Sequence, residues 1–130
     1  MKIKFSQLLE IDNVVGRLYK KDPTLKNGKF GYGYAKFFKK NIHPIVAEIN
    51  EEIENCRIDN CLADEKTKEI LYTADKQFRY DKEGYKKLNE FIRKINKEYA
   101  EKEVEVEPYI LKDVPELLEE EKELLQGILI

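Results

Sequence analysis

Apolar residues recur at three- and four-residue steps through three stretches of this chain, while a clean period-two alternation occurs only near residue 105. That contrast predicts a helical protein with little sheet. The first periodic stretch is Phe5, Leu8, Ile11, Val15 and Leu18. It follows a short strand at Lys2 to Phe5, and the helix it predicts is capped by Ser6 and runs to about Tyr19. Lys20-Lys21-Asp22-Pro23 then breaks the pattern, and Asn27-Gly28 turns the chain. From Phe30 onward the apolar positions fall at 30, 34, 37, 38, 42, 45, 49 and 53, one helical stripe without a change of register. Pro44 lies inside that stripe. It has no amide proton to give the carbonyl of Lys40, so a kink near His43 is expected.

Residues 55–68 lose the periodicity and read as a connection. Ile70 to Thr73 and Gln77 to Tyr80 are two β-prone runs around Ala74-Asp75-Lys76, a hairpin whose loop lacks glycine. Asp81 caps the clearest helix, in which Tyr85, Leu88, Ile92, Ile95 and Tyr99 are spaced 3, 4, 3, 4. Two heptads cannot sustain an independent coiled coil. The seam therefore needs a partner, most simply the Phe30 to Ile53 helix packed antiparallel through Phe30, Tyr34, Phe37, Ile42 and Ile45. Glu103-Val104-Glu105-Val106-Glu107 alternates like a half-buried strand with an acidic outer face, which Pro108 confines to an edge. Asp113 and Pro115 then open a short helix outlined by Leu117, Leu118, Glu121, Leu124, Leu125 and Ile128. The sum is a helix-dominated α+β fold. An antiparallel long-helix hairpin is covered by an N-terminal helix, a short β-hairpin, an edge strand and a short C-terminal helix.

Composition narrows the class. A chain of 130 residues holds one domain's worth of material, so a single domain over 1–130 is expected. With 38% charged and 42% hydrophobic residues it reads as neither disordered nor membrane-embedded. No apolar run approaches the roughly 20 residues that span a bilayer. The opening MKIKFSQLLEIDN carries acids where a signal peptide is apolar, so a cytoplasmic protein is expected. Cys56 and Cys61 are too few for a disulfide framework and read as free thiols. The formal net charge of -2 conceals an asymmetry. Residues 17–40 carry eight basic side chains against one acid, a net of +7, whereas 98–130 carry eleven acids against three lysines, a net of -8. Such complementary segments attract a polyanion or satisfy each other within or between subunits.

The tract Gly28 to Lys40, GKFGYGYAKFFKK, sets five aromatics among glycines and lysines. Its Gly31-Tyr32-Gly33-Tyr34-Ala35-Lys36-Phe37 resembles the signature of RNA-recognition motifs, in which aromatics on a sheet stack bases. The context argues otherwise. That signature lies on the third strand of a βαββαβ domain. Here too few residues precede it, and a helical stripe follows it. As a helix, the tract turns Phe30, Tyr34, Phe37 and Phe38 into core anchors and leaves Lys36, Lys39 and Lys40 on the wet side. Gly31 and Gly33 then mark a frayed first turn or close contact with another backbone, since each costs up to about 1 kcal/mol relative to alanine inside a helix.

Signatures of catalysis and cofactor binding are weak. His43 is the only histidine and Ser6 the only serine, so a Ser-His-acid triad would need those two to meet by chance. Cys56 and Cys61 lack the second ligand pair of a zinc site, and Gly31-x-Gly33 lacks the third glycine and the preceding strand of a phosphate loop. Glu48, Glu51, Glu52 and Glu54 read as a solvated helix face. No catalytic residue, metal or cofactor is expected.

Phe30 to Glu54, FGYGYAKFFKKNIHPIVAEINEEIE, leads through Gly84-Tyr85-Lys86-Lys87-Leu88 to Val104-Glu105-Val106 and a leucine-rich terminal helix. This order of parts resembles a group of small uncharacterised proteins of bacteriophages and prophages, encoded near tail and lysis genes. The resemblance implies a phage accessory, assembly or virion-associated protein in the host cytoplasm or the particle, and carries over no catalytic residue. The expected function is accordingly non-catalytic. It is protein–protein interaction, with homo-oligomerisation through the apolar seam and an interaction surface at Lys26, Lys29, Lys36, Lys39 and Lys40. The alternative is a nucleic-acid-binding module using the same lysines with Tyr32 and Tyr34. Fewer arginines than lysines, 4 against 20, weigh against that alternative, because arginine is favoured for bidentate phosphate and base contacts.

Overall fold

The computed structural model describes residues 1–130, and the chain gathers into two compact units, residues 1–46 with 99–130 and residues 47–98. Helices dominate both. The only sheet pairs two short strands, so the class is the helix-dominated α+β fold that the periodicities predict.

In the first unit, β1 (Lys2–Lys4) runs antiparallel to β2 (Glu103–Glu105), with Lys2 opposite Glu105, Ile3 opposite Val104 and Lys4 opposite Glu103. Unlike charges thus face each other at both ends of the ladder, and the half-buried Ile3 and Val104 meet between them. Helix α1 (Phe5–Lys21) buries Phe5, Leu8, Ile11, Val15 and Leu18, the stripe read from the sequence. Its cap differs from expectation. The extended Lys4 precedes the first turn, and its amide donates to Gln7 Oε1 at 3.0 Å, so Gln7 closes the turn in place of Ser6. At the other end, the Asp22 carboxylate accepts from the Thr24 amide at 3.1 Å and starts a 3-10 turn, Pro23–Asn27.

The aromatic tract then forms helix α2 (Lys29–Phe37), not a strand. Phe30, Tyr34 and Phe37 are buried, and Tyr19 meets Phe30 edge to face at 6.1 Å. The Tyr34 hydroxyl donates to Asp12 Oδ1 at 2.6 Å, which ties α2 to α1. Burial, reinforced by that hydrogen bond to a carboxylate, pushes the Tyr34 hydroxyl far above its ordinary pKa. Both glycines are explained by close approach. A Cβ on Gly31 would stand 2.5 Å from the carbonyl oxygens of Leu25 and Lys26, and one on Gly33 would stand 2.9 Å from Leu111 Cδ2.

Between α2 and α3 (His43–Asn60) the helix widens into a π-helical turn, Phe38–Ile42, in which the His43 amide reaches back to the Phe38 carbonyl. The widening sits just before Pro44, where the missing amide proton leaves Lys40 without its helical donor. Asn41 exploits this distortion. It is buried, its Nδ2 donates to the carbonyls of Phe37 (3.2 Å) and Glu107 (3.0 Å), and its Oδ1 accepts from the Glu107 amide (2.9 Å). One side chain thereby pairs both backbone groups of a residue beyond β2.

The C-terminal helix is shorter than the sequence suggests. Helix α5 spans only Glu119–Leu125; Asp113 takes a left-handed φ of 54° instead of capping, and Pro115 lies outside the helix. Two interactions fix the later start. The Glu121 carboxylate accepts from the Leu118 amide at 2.8 Å and also receives Arg17 Nε at 2.6 Å. Leu125, Ile128 and Leu129 are buried, and the amides of Tyr109 and Leu111 donate to the carbonyls of Ile128 (2.9 Å) and Leu129 (2.7 Å). Residues 109–111 therefore form a strand-like segment where a helix was soon expected.

The second unit holds the later part of α3 and residues 82–98 of α4 (Lys82–Glu101). They run antiparallel, since Gly84 abuts the Asn60 carbonyl while Glu54 and Arg57 share a groove with Leu88 and Tyr85. Ile49, Ile53, Leu88 and Ile95 are buried in this unit. Asp81 caps α4 as expected, accepting from the Gly84 amide at 2.7 Å. Helix α3 overruns its predicted end, and Asn60 donates to the Cys56 carbonyl at 2.8 Å in its last turn. The short hairpin is present. Tyr72 bridges Phe78, the Thr73 amide donates to the Gln77 carbonyl at 2.8 Å, and Lys76 supplies the left-handed residue (φ 61°) that glycine usually provides.

Candidate functional site, a basic aromatic groove

Helix α2 presents Lys29, Tyr32 and Lys36 at steps of three and four on the face opposite its buried aromatics. Seven residues at a rise of 1.5 Å place the two lysines about 10 Å apart along the axis. Alongside runs the 109–112 segment, whose Tyr109, Ile110 and Lys112 complete an open groove of about 320 Å³. Gly33 sets its floor. A Cβ there would lie 3.2 Å from Tyr109 Cε1, so the second wall can approach this closely only because the residue has no side chain. The backbone pairing of Tyr109 and Leu111 to the C-terminal residues holds that wall from behind.

The groove is charged and uncompensated. Lys29, Lys36 and Lys112 form no ion pair with any carboxylate of the chain. Tyr32 is 67% exposed and Tyr109 41%, and neither ring packs on another aromatic. Two exposed tyrosine rings beside three ammonium groups without an ion pair can accept negative charge and planar groups together. No side chain here is a nucleophile paired with a base, and no group of three or more His, Cys, Asp or Glu is placed to hold a metal ion.

The five lysines read from the sequence do not form one surface. Lys29 and Lys36 meet at the groove; Lys26 lies 5.4 Å above the Tyr19 ring; Lys40 pairs with Glu107; Lys39 stands exposed on the π-helical turn without a carboxylate partner. Part of the basic segment is therefore satisfied by the acidic one, through Lys40 with Glu107 and Arg17 with Glu121. The latter is the more buried pair. Glu121 is 6% exposed, and the Arg17 hydrogen bonds hold its carboxyl below the ordinary carboxylate range. Sequence reasoning missed Tyr109, Ile110 and Lys112, whose segment reaches the site through pairing of Tyr109 and Leu111 with residues 19 and 18 positions later.

The apolar seam turns inward. Phe30, Tyr34, Phe37 and Ile42 are buried in the first unit with Tyr99, and Leu88 and Ile95 in the second; Ile45 and Ile92 are half-buried. Only Tyr85, at 57%, is largely exposed. No helix is long and apolar enough to cross a membrane.

No family model matches the chain, and no curated protein or solved structure is similar to it.

Proposed function

We propose that this protein is a non-catalytic interaction module whose binding face is the groove between α2 and residues 109–112, and whose partner presents negative charge there. The observation that carries the reading is the set of three unpaired lysines, Lys29, Lys36 and Lys112, around two exposed tyrosines. Elsewhere in the same unit Lys40, Lys4 and Arg17 each have a glutamate. Three open cations gathered around two exposed tyrosines direct a polyanion to that groove.

The test compares the wild type with the triple variant K29Q/K36Q/K112Q for binding of poly-glutamate and of oligonucleotides at about 50 mM salt, where unscreened surface charge is still effective. Wild type is expected to bind one of these, and the variant to lose that binding while keeping its helical content. Absence of binding to every polyanion, or equal binding by the variant, would end the reading.

Self-association is a second reading, favoured by Ile58, Tyr72 and Tyr85 of the second unit, which are 48%, 54% and 57% exposed. Because most of the seam is already buried, a homo-oligomer would use these side chains. Sedimentation that finds only monomer at high concentration and low salt removes it.

A further inference from the structure

We infer that the occupant of the groove is single-stranded nucleic acid, with phosphates at Lys29, Lys36 and Lys112 and bases stacked on Tyr32 and Tyr109, an inference that rests on the interaction-module reading above. The exposed rings distinguish this occupant from an acidic peptide, and the open groove from an enclosed small molecule. The cations alone would satisfy carboxylates, yet the site also exposes two tyrosine rings that no other ring covers. Each base brings a π-face to such a ring and a phosphate to a nearby ammonium, so one ligand answers both halves of the surface. The site is an open groove between a helix face and a strand-like segment, which suits a chain threading through rather than an enclosed small molecule. Duplexes have their base faces already stacked and gain nothing from the tyrosines.

The lining also sets the specificity. Lys, Tyr, Ile and Gly line the groove, and Arg, Asn, Gln, Asp and Glu do not, so the bidentate contacts that read base edges are missing. Binding is therefore sequence-tolerant. With three lysine–phosphate contacts and about 0.7 counterions released per contact on a single strand, log K falls against log[salt] with a slope of about -2. Between 50 and 200 mM salt that is a loss of about fifteen- to twentyfold.

The test is fluorescence anisotropy of the full chain with a labelled oligothymidylate about ten nucleotides long, within the range one such surface covers. Competitors are the same-length duplex and poly-glutamate. Wild type is expected to bind the single strand with the slope above, and Lys112→Gln to reduce that slope by about 0.7. Tyr32→Ala should weaken binding roughly five- to a hundredfold, and Tyr32→Phe should restore it. Tyr32 is exposed enough that its loss leaves the fold intact, as far-UV circular dichroism will check. If poly-glutamate or duplex competes as well as the single strand and Tyr32→Ala has no effect, the nucleic-acid occupant is overturned while the interaction module stands. If no polyanion binds at all, both fall.

Discussion

Two glycines in helices of this protein should respond to alanine in opposite directions, because one faces open space and the other a neighbouring backbone. Gly16 lies inside α1, and a Cβ built there meets nothing within 4 Å. Gly16→Ala is therefore expected to stabilise the fold by about 0.5–1 kcal/mol, the ordinary helix-propensity difference. Gly31 lies inside α2, where the same Cβ would stand 2.5 Å from two carbonyl oxygens and 2.6 Å from Lys26 Cα. All three obstacles are backbone, so no side chain can swing away. Overpacking of this kind costs about 1–3 kcal/mol, and the propensity gain offsets up to about 1 of that. A net loss of about 1–2 kcal/mol is expected, separating the two variants by about 2–3 kcal/mol. For a chain of this size that corresponds to about 10 °C in Tm. Urea and thermal unfolding followed by far-UV circular dichroism measure it directly. A Gly31→Ala protein as stable as Gly16→Ala would refute the claim that α2 packs directly on the Pro23–Asn27 turn.

Gly33→Ala should be milder in stability, because its Cβ meets the side chains of Leu111 and Tyr109 rather than backbone, but it should displace the Tyr109 ring and weaken polyanion binding. Unchanged affinity would mean that the ring does not line the binding face. Asn41→Ala leaves the Glu107 amide and carbonyl without their side-chain partner, at roughly 1–3 kcal/mol per orphaned group; a loss under 0.5 kcal/mol, the surface-substitution range, in urea unfolding would contradict that accounting. The Glu121 carboxyl is held below its ordinary value of 4.5 by Arg17, so it contributes stability that is present above about pH 4.5 and is lost as pH falls through its folded pKa. Glu121→Gln should flatten the acid side of a stability–pH curve, and an unchanged slope between pH 5 and pH 3 would exclude the pair as its cause.

The helices were legible because their information is local. Phe5 to Leu18 and Phe30 to Ile42 carry their stripes in consecutive turns, and the edge strand announces itself by alternation at 103–107. The glycines of the aromatic tract were legible only as a choice between fraying and close contact, because the contacting atoms of Leu25, Lys26 and Leu111 belong to other segments. The C-terminal helix was misread for a similar reason. Leucine spacing and Asp113-x-Pro115 favour a helix locally, but backbone pairing of Tyr109 and Leu111 with Ile128 and Leu129 keeps the preceding chain extended. Glu121, bound by Arg17 from 104 residues away, then fixes where helix begins. The groove combines both cases. Lys29, Tyr32 and Lys36 share a helix face that heptad spacing implies, whereas Tyr109 and Lys112 arrive by a long-range pairing that leaves no periodic mark in the sequence.

The most direct test of the groove is amide chemical-shift mapping of the isotopically labelled chain titrated with oligothymidylate at low salt. Shifts are expected to concentrate at Lys29 to Lys36 and Tyr109 to Lys112 and to be reversed by added salt. Shifts confined to the second unit, or none at all, would contradict the proposed groove.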